Sequence, residues 1–176
     1  LLIMHTMLQP QGAVNRMLQT WGWITDPLPF FTNATWARVT VIVINLWVGI
    51  PYTIMQITGI LQNIPADQYE AAKIDGANWW QRFLAITLPA IKPEIFVVAL
   101  TCTIAALKVF GPVYMLTKGG PGTSTIVPSY YSYVQFFQSQ QVGYGAAIAT
   151  ALTVVIIIVA VMFTNLQEKV AKEDEE

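Results

Sequence analysis

The sequence predicts an all-α polytopic membrane protein, a transmembrane helical bundle that residues 1–176 form as one domain. Three observations support this prediction. Hydrophobic residues make up 55% of the chain and charged residues only 11%, whereas soluble domains carry about 25% charged residues. Several runs lack charge over the roughly 20 residues that a helix needs to cross a bilayer. Between two of these runs, segment 61–92 carries helix start and stop signals.

Charge and rare residue types exclude several classes of function. The net charge of −1 gives no electrostatic case for nucleic acid binding. The single cysteine, Cys102, excludes an internal disulfide and a thiolate metal cluster, and we assign the single histidine, His5, a packing or capping role. We therefore expect no cofactor and no metal. A membrane enzyme is the least favoured class, because the two candidate nucleophiles, Ser129 and Ser132, have no histidine near them in the sequence to act as a base.

The chain opens on the tail of a hydrophobic run, residues 1–8, which predicts a partial span. Because no methionine starts it, we expect the C-terminal portion of a longer protein. A polar, proline-bearing connector follows over residues 9–37. Its aromatic side chains suit the headgroup layer of a bilayer. They are Trp21, Trp23, Phe30, Phe31 and Trp36.

The first complete span is predicted over residues 35–60, which lack charge from Val39 onward. Polar or small residues recur there at helical spacing, which places them on one face. They are Asn45, Gly49, Tyr52 and Gln56. Such a stripe either lines a solute path or holds neighbouring helices together. Pro51 predicts a kink beside it.

Segment 61–92 predicts a hairpin of two short helices on one membrane face. Pro65 suits a first helical turn, and Asp67 with Glu70 forms a capping-box-like pair. Gly76 predicts the end of the first helix. Asn78 predicts the cap of a second helix that reaches about residue 86, before a proline at 89 breaks it. Trp79, Trp80 and Phe83 are available to bury.

Two further spans complete the predicted bundle. Residues 93–116 form the second complete span, with Lys108 near its far end, where its amine can reach the interface. Residues 117–143 are a connector rich in glycine, proline and aromatic residues. Residues 144–166 are uncharged and form the third complete span.

One motif in the hairpin resembles a known family. Glu70-Ala71-Ala72, then Gly76 after three residues, then Ile86 and Leu88-Pro89 match the EAA loop of ABC importer permeases at each fixed position. The words Asp75-Gly76-Ala77 and residues 116–121 resemble its sugar-uptake branch. Residues 12–18 resemble a weaker connector motif, G-x-x-N-x-x-L, in which Asn15 is the asparagine. The resemblance covers residues 11–166 and implies the type I importer (MetI-like) permease fold.

The resemblance implies mechanical coupling without covalent chemistry. The complex would contain two separate ATPase subunits, one of which would receive this hairpin. A second permease, either related or a copy of this one, would complete the path, and an extracytoplasmic binding protein would deliver a sugar. The implied location is the cytoplasmic (inner) membrane of a bacterium or archaeon, in contact with lipid. Lysine and arginine counts agree with a cytosolic hairpin. The residues implied in coupling are Glu70, Ala71, Ala72, Asp75, Gly76, Ile86, Leu88 and Pro89.

The resemblance also bears on the solute path. Asn45, Gly49 and Tyr52 match positions that line the sugar site in the larger permease of the maltose transporter. The polar positions that this permease offers from the next span correspond here to Cys102, Ala106 and Val109. This departure puts maltose itself in doubt.

Other transport classes remain open. One is an ABC permease for a non-sugar solute, such as a glycerol phosphodiester or an amino acid. The other is a channel or secondary transporter that works without ATP. It would need no cytoplasmic hairpin, and its uptake would persist after ATP depletion at fixed ion gradients.

Overall fold

The computed structural model describes the backbone of residues 1–173 and the side chains of residues 1–92 and 94–169. Every regular element in these residues is helical. The α-helices are α1 (Leu2–Met7), α2 (Ala13–Thr20), α3 (Ala34–Leu61), α4 (Ala66–Ile74), α5 (Trp79–Arg82), α6 (Leu88–Leu107), α7 (Pro128–Tyr133) and α8 (Val142–Glu173). Three π-helical segments lie between them, at Phe83–Thr87, Val113–Thr117 and Val134–Gln138.

The chain divides into two compact units. The first comprises Leu1–Val48 and Lys108–Val154, and the second comprises Gly49–Leu107 and Val155–Glu176. Helices α3 and α8 each contribute one part to either unit. The polar connectors belong to the first unit and the hairpin belongs to the second.

Two described helices are long and apolar enough to cross a bilayer, Ala34–Leu61 and Val142–Lys169, with 28 residues each. A third crossing results if Trp79–Lys92 and Glu94–Leu107, which meet at a bend of 56°, form one span. In the most apolar windows of the two long helices, only 17% and 0% of residues are buried. Their apolar faces are therefore left for lipid or for other protein.

The helix of the second predicted span begins and ends earlier than expected. We predicted residues 93–116, whereas α6 covers Leu88–Leu107 and Lys108 lies in a turn. Pro112 has no N–H to bond the Lys108 carbonyl, so one α-helix cannot continue unbroken across this stretch. The helical path resumes at Gly111 and Pro112 and continues as the π-helical segment Val113–Thr117.

Pro89 does not break the second helix of the hairpin, contrary to our expectation. The helical path runs on through the π-helical segment into α6, and Pro89 is the second residue of α6. The N–H of Leu88 bonds to the carbonyl of Phe83, five residues back. This wider turn shifts the hydrogen-bond register at the point where Pro89 offers no donor. Pro51 also lies inside a continuous helix, α3, and its predicted kink stays a prediction.

A small apolar core holds the first unit together. Val41 and Ile44 of α3 pack with Val113, Leu116 and Tyr130. Partly buried side chains surround this core, among them Met4 of α1 and the residues that flank this helix, Leu1 and Leu8. The start of α3 is thus fixed against the segment that follows α6 in sequence.

A buried asparagine organises the first connector. Asn15 on α2 is fully buried. Its Nδ2 donates to the carbonyl oxygens of Gln9 at 3.1 Å and Leu28 at 3.3 Å, and its Oδ1 accepts from the Leu28 N–H at 2.8 Å. Gly12, just before α2, leaves no room for a side chain, because a Cβ there would lie 2.2 Å from the Met7 carbonyl oxygen. The connector is therefore an ordered lobe.

We predict that Asn15→Ala opens this lobe. The substitution removes three hydrogen bonds and strands buried backbone groups, which costs about 2–4 kcal/mol. Trypsin should then cleave the detergent-solubilised protein after Arg16 at least about tenfold faster, as mass spectrometry of the fragments would measure. The exposed Gln11→Ala is the control. Equal cleavage rates in the two variants would contradict the role of Asn15 in holding the lobe together.

Candidate functional site

The first arm of the hairpin ends in a glycine-dependent cap. Helix α4 stops at Asp75, and Gly76 follows with φ +78°. The Ala77 N–H bonds to the Ala72 carbonyl oxygen at 2.9 Å, and the Gly76 N–H bonds to the Lys73 carbonyl oxygen at 3.1 Å. This pair of bonds is a Schellman motif, which satisfies carbonyls at the helix end. The predicted stop at Gly76 is confirmed.

The second arm begins with a side-chain cap, as the sequence predicted. Asn78 Oδ1 accepts from the Gln81 N–H at 2.9 Å, and Gln81 Oε1 accepts from the Asn78 N–H at 2.8 Å. The pair predicted at Asp67 and Glu70 does not form a capping box, because α4 begins earlier, after an N-terminal cap at Pro65 that offers no side-chain bond. Asp67 instead lies in the first turn, where its charge favours the helix dipole.

The two sides of α4 differ in exposure. Asp67, Glu70, Ala71 and Ile74 follow the spacing of a single helical face and are all exposed. Ile74 is 86% exposed, an unusual degree for an isoleucine. Ala72 is half-buried on the other side. We call the exposed set the α4 ridge. It combines an apolar contact surface with two carboxylates.

A hydrogen bond that the sequence analysis missed ties α4 to the second arm. The hydroxyl of Tyr69 lies 2.8 Å from Thr87 Oγ1, and both residues are partly buried. Tyr69 directly precedes Glu70 of the EAA motif, and Thr87 lies between Ile86 and Leu88 of the same motif. No local spacing rule pairs residues 18 apart, so the sequence offered no signal. The contact links the first arm to the π-helical segment that leads into α6.

The remaining predicted coupling residues lie on the second arm. Ile86 is half-buried within the π-helical segment, whereas Leu88 and Pro89 are the first two residues of α6 and are exposed. Trp79 and Trp80 are 67% and 58% exposed, so neither ring is buried. Instead these two rings stack on each other, with centroids 5.0 Å apart. The hairpin thus presents a second apolar surface.

The predicted solute-path residues all lie on α3. Asn45, half-buried, belongs to the first unit, whereas Gly49 and Tyr52 belong to the second. Tyr52 is 61% exposed, so its ring is open to the surroundings of the helix. Cys102 of α6 lies next to this part of α3, with its Sγ 3.6 Å from Thr53 Oγ1. Lining of a path by these residues stays a prediction.

Two tyrosines of the second connector, Tyr131 and Tyr133, hydrogen-bond to tyrosines just outside it in the first unit. The hydroxyl of Tyr114 hydrogen-bonds that of Tyr133 and raises the pKa of Tyr133 above its ordinary value. Tyr144 acts in the same way to raise the pKa of Tyr131. Both connector hydroxyls therefore stay neutral at physiological pH. The cluster offers aromatic faces and neutral hydroxyls, with no acid or base.

Long apolar helices and an exposed helical hairpin define an all-helical, multi-span membrane protein. The chain belongs to the family of binding-protein-dependent transport system inner membrane components, whose model matches residues 1–172. This membership confirms the resemblance, the predicted fold class and the predicted inner-membrane location. The family is one of transport components, not of enzymes.

Individual relatives agree with this membership. The lactose transport system permease protein LacF of Rhizobium radiobacter is 34% identical over 174 residues, covering 98% of this chain and 57% of that protein. The galactooligosaccharides transport system permease protein GanP of Bacillus subtilis is 34% identical over 171 residues, covering 93% and 40%. The chain spans about half the length of the curated relatives it matches.

A solved structure agrees as well. The crystal structure of a bacterial ABC transporter that imports the acidic polysaccharide alginate superposes with a TM-score of 0.82 at 28% identity. The match covers 94% of this chain and 58% of that one.

We predict that Gly76→Val disorders the hairpin more than Gly76→Asn does. A Cβ at this position meets nothing within 4 Å, so the penalty comes from the left-handed backbone alone. That conformation costs an ordinary residue roughly 1–2 kcal/mol, and asparagine tolerates it best. Hydrogen–deuterium exchange over residues 66–82 should rise strongly in the valine variant and slightly in the asparagine variant. Equal exchange in both would contradict the strain argument.

We also predict that Tyr69→Phe loosens α4. Loss of one partly buried hydrogen bond costs about 0.5–1.5 kcal/mol. Trypsin cleavage after Lys73 should accelerate roughly two- to tenfold. Thr87→Val should act alike, and the double variant should add little to either single change, because both remove the same bond. Fully additive effects would show that the two hydroxyls do not interact.

Proposed function

We propose that this chain is the permease portion of an ABC importer that carries a sugar across the cytoplasmic membrane. An extracytoplasmic binding protein delivers the sugar, a second permease completes the path, and two ATPase subunits supply the energy. The single observation that carries the proposal is the rigid hairpin with its exposed α4 ridge. Family membership and the match to an alginate importer support it.

The hairpin is built to transmit force. The glycine cap, the asparagine capping box and the Tyr69–Thr87 bond hold it in one shape. The α4 ridge would enter a groove on an ATPase subunit, where Ala71 allows close approach and Ile74 buries its exposed side chain. Glu70 would pair with a basic side chain of the ATPase and fix the register. When ATP binding closes the ATPase pair, the groove moves α4.

The movement reaches the membrane through the second arm. Because Tyr69 is bonded to Thr87, displacement of α4 pulls on the π-helical segment that continues into α6. Ile86, Leu88 and Pro89 lie at this junction and would set how the arm bends. Asp75 and Gly76 would keep the two arms at a constant angle.

The proposed substrate is a sugar or oligosaccharide. Relatives are named for lactose, galactooligosaccharides and trehalose/maltose. On α3, Tyr52 would stack its ring on a sugar, while Asn45 would bond hydroxyls and Gly49 would leave space. A non-sugar solute is the second candidate, because another relative is an osmoprotective compounds uptake permease protein, GgtC of Synechocystis.

Reconstitution tests this proposal. The full-length permease, purified with its co-purifying ATPase, sister permease and binding protein, is placed in proteoliposomes. Uptake of radiolabelled lactose, trehalose and a galacto-oligosaccharide is then measured with and without ATP. We expect uptake of at least one sugar that requires both ATP and the binding protein. Uptake that persists without ATP at fixed ion gradients would establish a secondary transporter instead.

We predict that Glu70→Lys and Gly76→Pro uncouple transport while leaving the permease inserted. The first reverses a charge at the ATPase contact, where loss of a paired charge costs roughly 2–5 kcal/mol. The second forces a φ near −65° on a residue that adopts +78°. ATP-dependent uptake and ATPase co-purification should fall at least about tenfold. Asp26→Lys, an exposed charge reversal in the first connector, is the control. Normal uptake by either hairpin variant would count against the coupling role.

A further inference from the structure

A polar cavity of about 390 Å³ lies within the second unit, beside the base of the hairpin. The end of α3, the turn into α4 and the start of α6 line it, and it opens to the surface. Three primary amides, those of Gln56, Asn63 and Gln68, line it together with the carboxylate of Glu94. The rest of the lining is aliphatic or small. The volume lies within the range of small-molecule sites, about 300–1,000 Å³.

One lining group lacks a partner within the described residues. Gln56 Oε1 is buried and accepts no hydrogen bond there. A buried acceptor without a donor costs roughly 1–3 kcal/mol, which a guest that donates a hydrogen bond would relieve once the amide turns toward the cavity. The Glu94 carboxylate, when ionised, also only accepts, whereas the three amides both donate and accept. The cavity therefore suits a guest with several groups that can do both.

The charge of the lining narrows the class of guest. No lysine or arginine is among the lining residues that the structure describes, so no cation in the lining would balance the charge of a phosphate or a carboxylate. Hydroxyl groups donate to a carboxylate and accept from an amide. A neutral polyhydroxylated molecule matches this set of groups better than an anion does.

The cavity continues a feature of α3. Gln56 follows Tyr52 by four residues and Gly49 by seven, so the three residues share one helical face within the second unit. At 1.5 Å per residue, Gln56 lies about 6 Å beyond Tyr52 along the axis. A sugar that moved along this face would reach the cavity next. Pro65 and Gln68, at the start of α4, also line the cavity.

We propose that this cavity is the release subsite for the transported sugar, at the cytosolic end of α3. The inference rests on the proposed function and adds a site to it. Gln56 and Glu94 hold the sugar hydroxyls from the two transmembrane helices, while Gln68 approaches from the coupling helix. Movement of α4 therefore changes the contacts between the subsite and the sugar directly, because the same helix that meets the ATPase contributes to the lining of the subsite.

Transport by two cavity variants tests the proposal in the reconstituted full transporter. Gln56→Leu removes one hydrogen-bond partner of the sugar, and Glu94→Gln exchanges an ionised acceptor for a weaker neutral one, both with little change of volume. Uptake of the same sugar panel should fall roughly three- to tenfold in each variant, the effect of one lost or weakened hydrogen bond. ATPase co-purification, and ATPase stimulation by sugar-loaded binding protein, should stay at the wild-type level. Gln62→Leu, exposed and outside the lining, should transport normally.

A direct occupancy measurement complements the transport data. A cysteine placed at Asn63 in a Cys102→Ala background is modified with a maleimide in the nucleotide-free detergent complex. Each sugar that the wild type transports should slow the modification, and sodium chloride should not. Protection by salt instead of sugar would make the cavity a cation site and overturn the inference.

The outcomes separate this inference from the proposed function. Wild-type uptake of the sugars together with wild-type uptake in both variants would overturn the release subsite alone. No ATP-dependent sugar uptake by the wild type would overturn the proposed function, and the subsite with it. Loss of ATPase co-purification in Gln56→Leu or Glu94→Gln would assign the cavity to subunit assembly and likewise overturn the subsite.

Discussion

The left-handed backbone at Gly76 is the constraint on which the hairpin depends. With φ at +78°, the chain turns directly after α4, and the Schellman bonds close the helix end. The Asn78 cap then starts the second arm after a single intervening residue. The tight connection brings Tyr69 within hydrogen-bond distance of Thr87. A residue that could not adopt positive φ would separate the arms and lose this bond, so one backbone angle supports the coupling geometry.

The bilayer explains why so much apolar surface is exposed on this chain. Lipid is as apolar as the side chains it meets, so a spanning helix needs no protein partner to shield it. Internal organisation comes instead from polar contacts, such as the hydrogen bonds of Asn15, and from one small core around Val113. The exception is Ile74, which is exposed on the short polar helix α4 beside Glu70. Lipid does not account for this exposure, and the proposed contact with an ATPase subunit would bury the side chain.

Local signals were readable from the sequence, whereas contacts between distant residues were not. Gly76 and Asn78 act through neighbours one to five positions away, so residue type and spacing predicted both. The Tyr69–Thr87 bond and the position of Gln56 in a cavity depend on how helices approach each other, which spacing does not encode. Pro89 misled for a related reason, because the π-helical segment before it changes the hydrogen-bond register. The part of Asn45, Gly49 and Tyr52 in a solute path stays a prediction, since it concerns a moving solute.

The central claim is that the α4 ridge meets an ATPase subunit. Single cysteines placed at Tyr69, Glu70, Ala71 and Ile74 in a Cys102→Ala background of the full transporter would test it by crosslinking in native membranes. We expect crosslinks to the ATPase from the three ridge positions, stronger when ATP is bound, and none from position 69, which lies on the partly buried side of α4. Crosslinks from position 69 as strong as those from the ridge would contradict contact between the α4 ridge and the ATPase. An absence of crosslinks from all four positions would contradict it too.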